Sequence, residues 1–280
     1  MSECKKEYLY KIQDEIRNWE NEGPGFLANV TDFMLWPAMK AADLLIPEAV
    51  TQTVSTAIEG CLNGLLWGAD YTFSDKDVIA KLAEQNSSLN SLKAISKSDD
   101  LESMDLTADH YWNYNLGYAI TQGAACGAGG LAGLAANIPA LYMIVFRCIQ
   151  QIALCYGFDT SKDEERLYMI GILSIASASD IKSKQAAMVF MKQIQVGVAK
   201  KTWKKLAEES GKAAVGTVVT LVRQAAKSLS INITKRKALQ LIPVIGGVIG
   251  GSFDGMYLQD IARAAKNCYR KRKLEMLGKF

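Results

Sequence analysis

Residues 111–146 read YWNYNLGYAITQGAACGAGGLAGLAANIPALYMIVF, a stretch without a charged side chain. It contains Gly117, Gly123, Gly127, Gly129, Gly130 and Gly133, and turns at Asn137-Ile138-Pro139. About 20 apolar residues can span a bilayer as a helix, but Asn113, Asn115, Thr121, Gln122 and Asn137 dilute this run. It therefore reads two ways, as the core helices of a bundle or as a segment that meets lipid. Each glycine costs about 1 kcal/mol in a helix relative to alanine, yet small residues at three- and four-residue spacing let two helices approach closely. The expectation is close-packed helices with a break near Gly129-Gly130.

A second uncharged stretch, ALQLIPVIGGVIGGSF at 238–253, has its own Ile-Pro step and glycines Gly246, Gly247, Gly250 and Gly251. Outward from these two segments the apolar spacing is helical. Tyr8, Ile12, Ile16 and Trp19 share one face on a charged background, and Gly23-Pro24-Gly25 stops that helix. Helices are expected within 26–70, near 75–84, near 88–96 and at 99–120, with a polar loop at 85–91. Pro139 is expected to start a helix through Tyr156 that Gly157 ends as a C-cap. Ser161-Lys162-Asp163-Glu164 reads as a capping box opening a helix to about Ala178. Further helices are expected at 182–209, 210–230, 234–252 and 254–277. No stretch alternates as a strand does. The fold class is all-α: a multi-helix bundle with the two Gly-rich apolar segments packed centrally. The expected organisation is an amphipathic helical extension over 1–44 and a helical domain over 45–280.

Charge is distributed unevenly. Residues 1–110 carry 9 basic and 19 acidic side chains, residues 111–191 carry 5 of each, and residues 192–280 carry 18 basic and 5 acidic. Either the acidic and basic thirds pack together, or the basic surface faces anionic lipid, where each nearby Lys or Arg contributes roughly 1 kcal/mol. Arg263, Lys266, Arg270, Lys271, Arg272 and Lys273 are the candidates for a membrane-facing stripe. No DNA or RNA motif accompanies the basic charge, so nucleic acid is not the expected partner. The six cysteines show no Cys-x-x-Cys spacing and read as reduced, buried thiols of a cytosolic protein. The N-terminal segment is amphipathic and has no signal-peptide pattern.

Arg147 is the outstanding polar residue, because PALYMIVFRCIQQIALCYG surrounds it with apolar side chains. A guanidinium does not lose its proton to escape burial, so it needs a partner or a route to water. Gln150 and Gln151 extend a polar stripe along the same helix. Asp254 is the lone acid of the second segment, and an Arg147–Asp254 pair is expected, with Asp159 as the competing partner. Such a pair can fix helix register and do nothing else. The single histidine, His110, lies beside no metal-ligand spacing and no nucleophile elbow, and no metal or cofactor is expected. The run GAACGAGGLAG lacks the strand and Gly-Lys-Ser/Thr of a nucleotide loop.

Three stretches occurring in order, GAACGAGGLAGLAANIPALYMIVFRCIQQIALCYGFD, DEERLYMIGIL and LIPVIGGVIGGSFDGMYLQDIARAAKNCYRKR, resemble the bacterial EcsC family over roughly residues 45–275. The resemblance implies an intracellular bacterial protein of a family named after a component encoded beside an ABC transporter. It marks Arg147, Tyr156, Gly157, Asp159, Pro243, Gly246, Gly250 and Asp254 as positions that matter, without assigning catalytic roles. The family pattern tends to have Asp before the first Ile-Pro, where this chain has Asn137; if that acid has a charge-dependent role, it is lost or altered in this chain.

The expected function is that of a non-enzymatic helical protein, cytoplasmic and peripherally membrane-associated. It would bind lipid or a hydrophobic ligand, or insert apolar segments into a bilayer. The alternatives are a hydrolase with a polar cleft around His110, Arg147, Asp159 and Asp254, and a soluble module supporting an ABC transporter or other membrane complex.

Overall fold

The computed structural model describes residues 3–23, 25, 48–66, 73–127, 130–178, 180–199 and 246–280. The helices among them are α1 (Glu3–Asn21), α2 (Glu48–Leu66), α3 (Asp75–Gln85), α4 (Leu92–Lys97), α5 (Leu101–Gly127), α6 (Gly130–Cys155), α7 (Asp163–Ala176), α8 (Ile181–Ala199) and α9 (Gly246–Met276). No strand occurs among the described residues. The helices expected at 210–230 and over the first part of 234–252, and residues Gly129 and Pro243, lie outside them.

The long helices α5, α6 and α9 pack on one another, with α2, α3 and α7 around α6. The reason is compositional: α6 is apolar on nearly every side from Leu141 to Cys155, and a helix hydrophobic all round must be buried. Its segment Asn137–Cys155 is long and apolar enough to cross a bilayer, but 72% of it is buried inside the bundle. The spacing of Ile12, Ile16 and Trp19 buries one face of α1 in the same core.

Helix ends follow local chemistry. Ser74 and Ser91 accept backbone N–H bonds at the starts of α3 and α4. After α6, Phe158 N–H bonds to Ala153 C=O at 3.1 Å and Gly157 N–H to Leu154 C=O at 2.9 Å, with Gly157 at φ +84°. This is a Schellman cap that requires the left-handed conformation glycine permits. A Cβ at Gly157 would lie 2.6 Å from the Ser96 backbone.

Three expectations need correction. Pro139 lies inside α6 rather than at its start; one missing N–H is tolerated in a helix packed on several neighbours. The capping box at α7 does not form: Lys162 is the N-cap and makes no side-chain bond, because the Ser161 hydroxyl donates instead to Asp159, at 2.6 Å. No helix boundary falls at Phe253-Asp254, since α9 runs unbroken from Gly246. Gly255 there permits close contact, as a Cβ would meet Ile120 of α5 at 2.7 Å. Of the thiols expected to be buried, Cys148, Cys155 and Cys268 are buried and in no disulfide, while Cys61 and Cys126 are half-buried. Burial pushes the Cys148 thiol up to about 12.

Candidate functional site

Two of the amides that dilute the charge-free stretch, Asn115 and Gln122, lie on one face of α5, seven residues and two turns apart. Each meets α6. The Asn115 side-chain N–H donates to Gln151 Oε1 at 2.7 Å and to Tyr111 C=O at 2.7 Å, while its Oδ1 accepts from Arg147 Nε at 2.8 Å. Two turns on, Gln122 Nε2 donates to Asn137 Oδ1 at 2.7 Å, and Asn137 Nδ2 donates to Asp254 Oδ2 at 3.0 Å. The three long helices are thus stitched by two separate polar clusters, and Arg147 and Asp254 belong to different ones.

The expected Arg147–Asp254 ion pair is therefore not formed. Asp159 does not replace it, being engaged with Ser161 and Lys162. Instead, Arg147 lies over the rings of Tyr118 and Tyr114, 4.7 and 5.3 Å from their centroids. Those tyrosines are each 47% exposed, and their hydroxyls are 3.2 Å apart. That hydrogen bond is the main reason the Tyr114 phenol titrates above its ordinary range. His110 stacks on Tyr114 at 6.4 Å. His110, Tyr114 and Tyr118 therefore form a ladder along α5 at four-residue spacing, with Arg147 of α6 across its upper rungs. Exposed Met143 lies one turn from Arg147 on the same face of α6.

The basic residues of α9 are turned to partners inside the molecule. Arg270, Lys271, Arg272 and Lys273 are consecutive and point about 100° apart around the helix axis. Arg270 meets Asp105 of α5 and Glu15 of α1, and Lys271 meets Glu20 of α1. Arg272 meets Glu165 of α7 and stacks on Phe158 and Tyr168. Lys273 Nζ donates to the Ile95 and Ser96 carbonyls at the end of α4, both at 2.7 Å. Arg263 pairs with Glu22 and Lys266 with Asp109. Among the described residues, Arg263, Lys266, Arg270 and Lys271 of α9 are thus each paired with an acid of the first third of the chain.

Asp105 was not legible as a site residue. Its carboxylate is buried, accepting from Tyr8 and Tyr156 hydroxyls and from Arg270 Nε and Nη2. It borders a cleft of about 550 Å³ between α1, α5 and α9, lined also by Glu15, Trp112 and Lys266. Tyr156 is fully buried, and desolvation, with the Asp105 charge next, drives its phenol well above the ordinary range. Among the described residues no group of three His, Cys, Asp or Glu side chains could hold a metal ion. Of the glycines singled out, Gly127 closes α5, Gly130 opens α6, Gly133 lies within it, and Gly246, Gly247, Gly250 and Gly251 form the start of α9.

Comparison with known proteins gives a consistent result. The model of the EcsC protein family matches residues 10–274, beginning inside α1. The uncharacterized protein YdbA of Bacillus subtilis (strain 168) is 26% identical over 279 residues, covering 96% of this chain and 94% of YdbA. Protein EcsC of the same organism is 22% identical over 230 residues, covering 82% of this chain and 81% of its own length. No solved structure matches.

Proposed function

This chain belongs to the EcsC protein family, and from that premise we propose that it is a non-enzymatic helical protein working peripherally at a membrane, which it contacts through the outer face of α5 and α6. The observation that carries this reading is the exposure of Tyr114, Tyr118 and Met143 on a helix pair with no charged side chain from Tyr111 to Phe146. Tyrosines with one apolar and one polar end favour the boundary between headgroups and acyl chains. The inward pairing of the α9 bases moves the contact surface away from the basic stripe and onto this face.

Flotation of the purified chain with phosphatidylcholine vesicles, with and without phosphatidylglycerol, tests the proposal. Co-flotation with the anionic vesicles that weakens in high salt is expected. A chain that stays at the bottom of the gradient with both vesicle types would sink the membrane reading.

A further inference from the structure

We infer that Arg147, framed by Tyr114 and Tyr118, is a binding site for the phosphate of an anionic lipid headgroup. This rests on the membrane reading above and gives that contact a chemical centre. Between His110 and Asp159, Arg147 is the only charged residue. Arg17, Arg263, Arg270 and Arg272 each lie within ion-pair distance of a carboxylate. Among the described residues no such pair includes Arg147.

Its acceptor is neutral. Nε donates to Asn115 Oδ1, and Nη2 is buried without a hydrogen-bond partner. Leaving a charged donor unmade costs more than leaving a neutral one. The guanidinium is also held in place before any ligand arrives: Asn115 is fixed by Gln151 and the Tyr111 carbonyl, and the two tyrosine rings lie against it. Nη2 is closed off from solvent, so a phosphate oxygen reaches it only when the side chains covering it give way; it then supplies both the missing acceptor and the missing negative charge, in the forked geometry arginine favours. The Tyr114 and Tyr118 hydroxyls are bonded to each other, and the one whose proton is not used in that bond adds a donor at the rim. Met143, one turn away and 44% exposed, offers the apolar neighbour that an acyl chain requires and a free phosphate does not. Charge complementarity on an otherwise uncharged face thus selects an anionic lipid.

The test compares wild type, Arg147→Gln, Arg147→Lys and the double variant Tyr114→Phe/Tyr118→Phe in flotation with phosphatidylcholine vesicles containing phosphatidylglycerol. Circular dichroism melts serve as the folding control. Arg147→Gln is expected to lower vesicle affinity about 10-fold or more, the size of a lost charge-assisted contact. Arg147→Lys is expected to restore part of it, since lysine keeps the charge and loses the fork. The tyrosine pair sits on the surface and folds whatever the arginine variants do; loss of its hydroxyls is expected to lower affinity by a smaller factor. Inorganic phosphate, titrated calorimetrically, is expected to show no saturable binding. Saturable phosphate binding abolished by Arg147→Gln would overturn the lipid assignment in favour of a free anion. Wild type that floats while all three variants float equally well would overturn the site and leave the membrane reading standing. Wild type that does not float removes both.

Discussion

Arg270 of α9 and Asp105 of α5 meet through two hydrogen bonds, Nε to Oδ1 at 2.7 Å and Nη2 to Oδ2 at 2.6 Å. Both side chains are buried. Glu15 and the Tyr8 and Tyr156 hydroxyls complete the cluster. Because every charge in it is answered, taking away one member is worse than taking away the pair. Asp105→Ala is expected to destabilise the chain by about 3–5 kcal/mol, the cost of a buried charge left alone. Replacing both partners with Asp105→Leu/Arg270→Met is expected to cost less than either single change. Urea unfolding of Asp105→Leu, Arg270→Met and the double variant measures the difference, and additive losses would show that the two residues do not act as a unit.

Lys273 gives the chain a pH dependence of definite sign. Its ammonium is buried against two carbonyls, and desolvation lowers its pKa from 10.5 to about 8, with Asp99 opposing. The folded state therefore binds fewer protons than the unfolded state between those values. Stability from this group rises with pH across that window, and the penalty is full below about pH 8. Lys273→Met is expected to flatten the rise. Thermal melts of both proteins in steps from pH 8 to 10.5 check it; parallel curves would exclude Lys273 as the source.

Asn137 of α6 donates to Asp254 of α9 at 3.0 Å. An amide N–H can donate to a carboxylate, and a second carboxylate cannot. In Asn137→Asp two carboxylates would share that contact, so one must keep a proton. The variant is expected to be nearest to wild type at about pH 5 and to lose about 1–3 kcal/mol relative to it by about pH 8. Denaturant midpoints at the two pH values measure this. A loss independent of pH would mean that shape rather than charge matters at the site.

Much of the fold was legible because its signals are local. The Tyr-Gly step after α6 announced a cap, and the apolar spacing announced most helices. Ser161 misled because two chemistries compete for one hydroxyl: the Asp159 carboxylate, two residues back, outbid the backbone N–H groups of α7. Arg147 stood out because a guanidinium among apolar neighbours must be accommodated, but its partner could not be read. Asn115 lies 32 positions away, and no periodicity connects the two. The α9 bases illustrate the same limit. Sequence spacing gives the angle at which each leaves the helix, and nothing in α9 says that α1, α4, α5 and α7 are waiting at those angles.

The pairing of α1 with α9 has a consequence in time. Glu15, Glu20 and Glu22 are translated early, and Arg263, Arg270 and Lys271, which receive them, emerge more than 240 positions later. At synthesis rates of roughly 5–20 residues per second, α1 spends on the order of ten seconds to a minute as an acidic, amphipathic helix without its docking surface. Its apolar stripe of Ile12, Ile16 and Trp19 is open during that interval to chaperones or to other nascent chains, so α1 is seated only once α9, made long after it, has emerged.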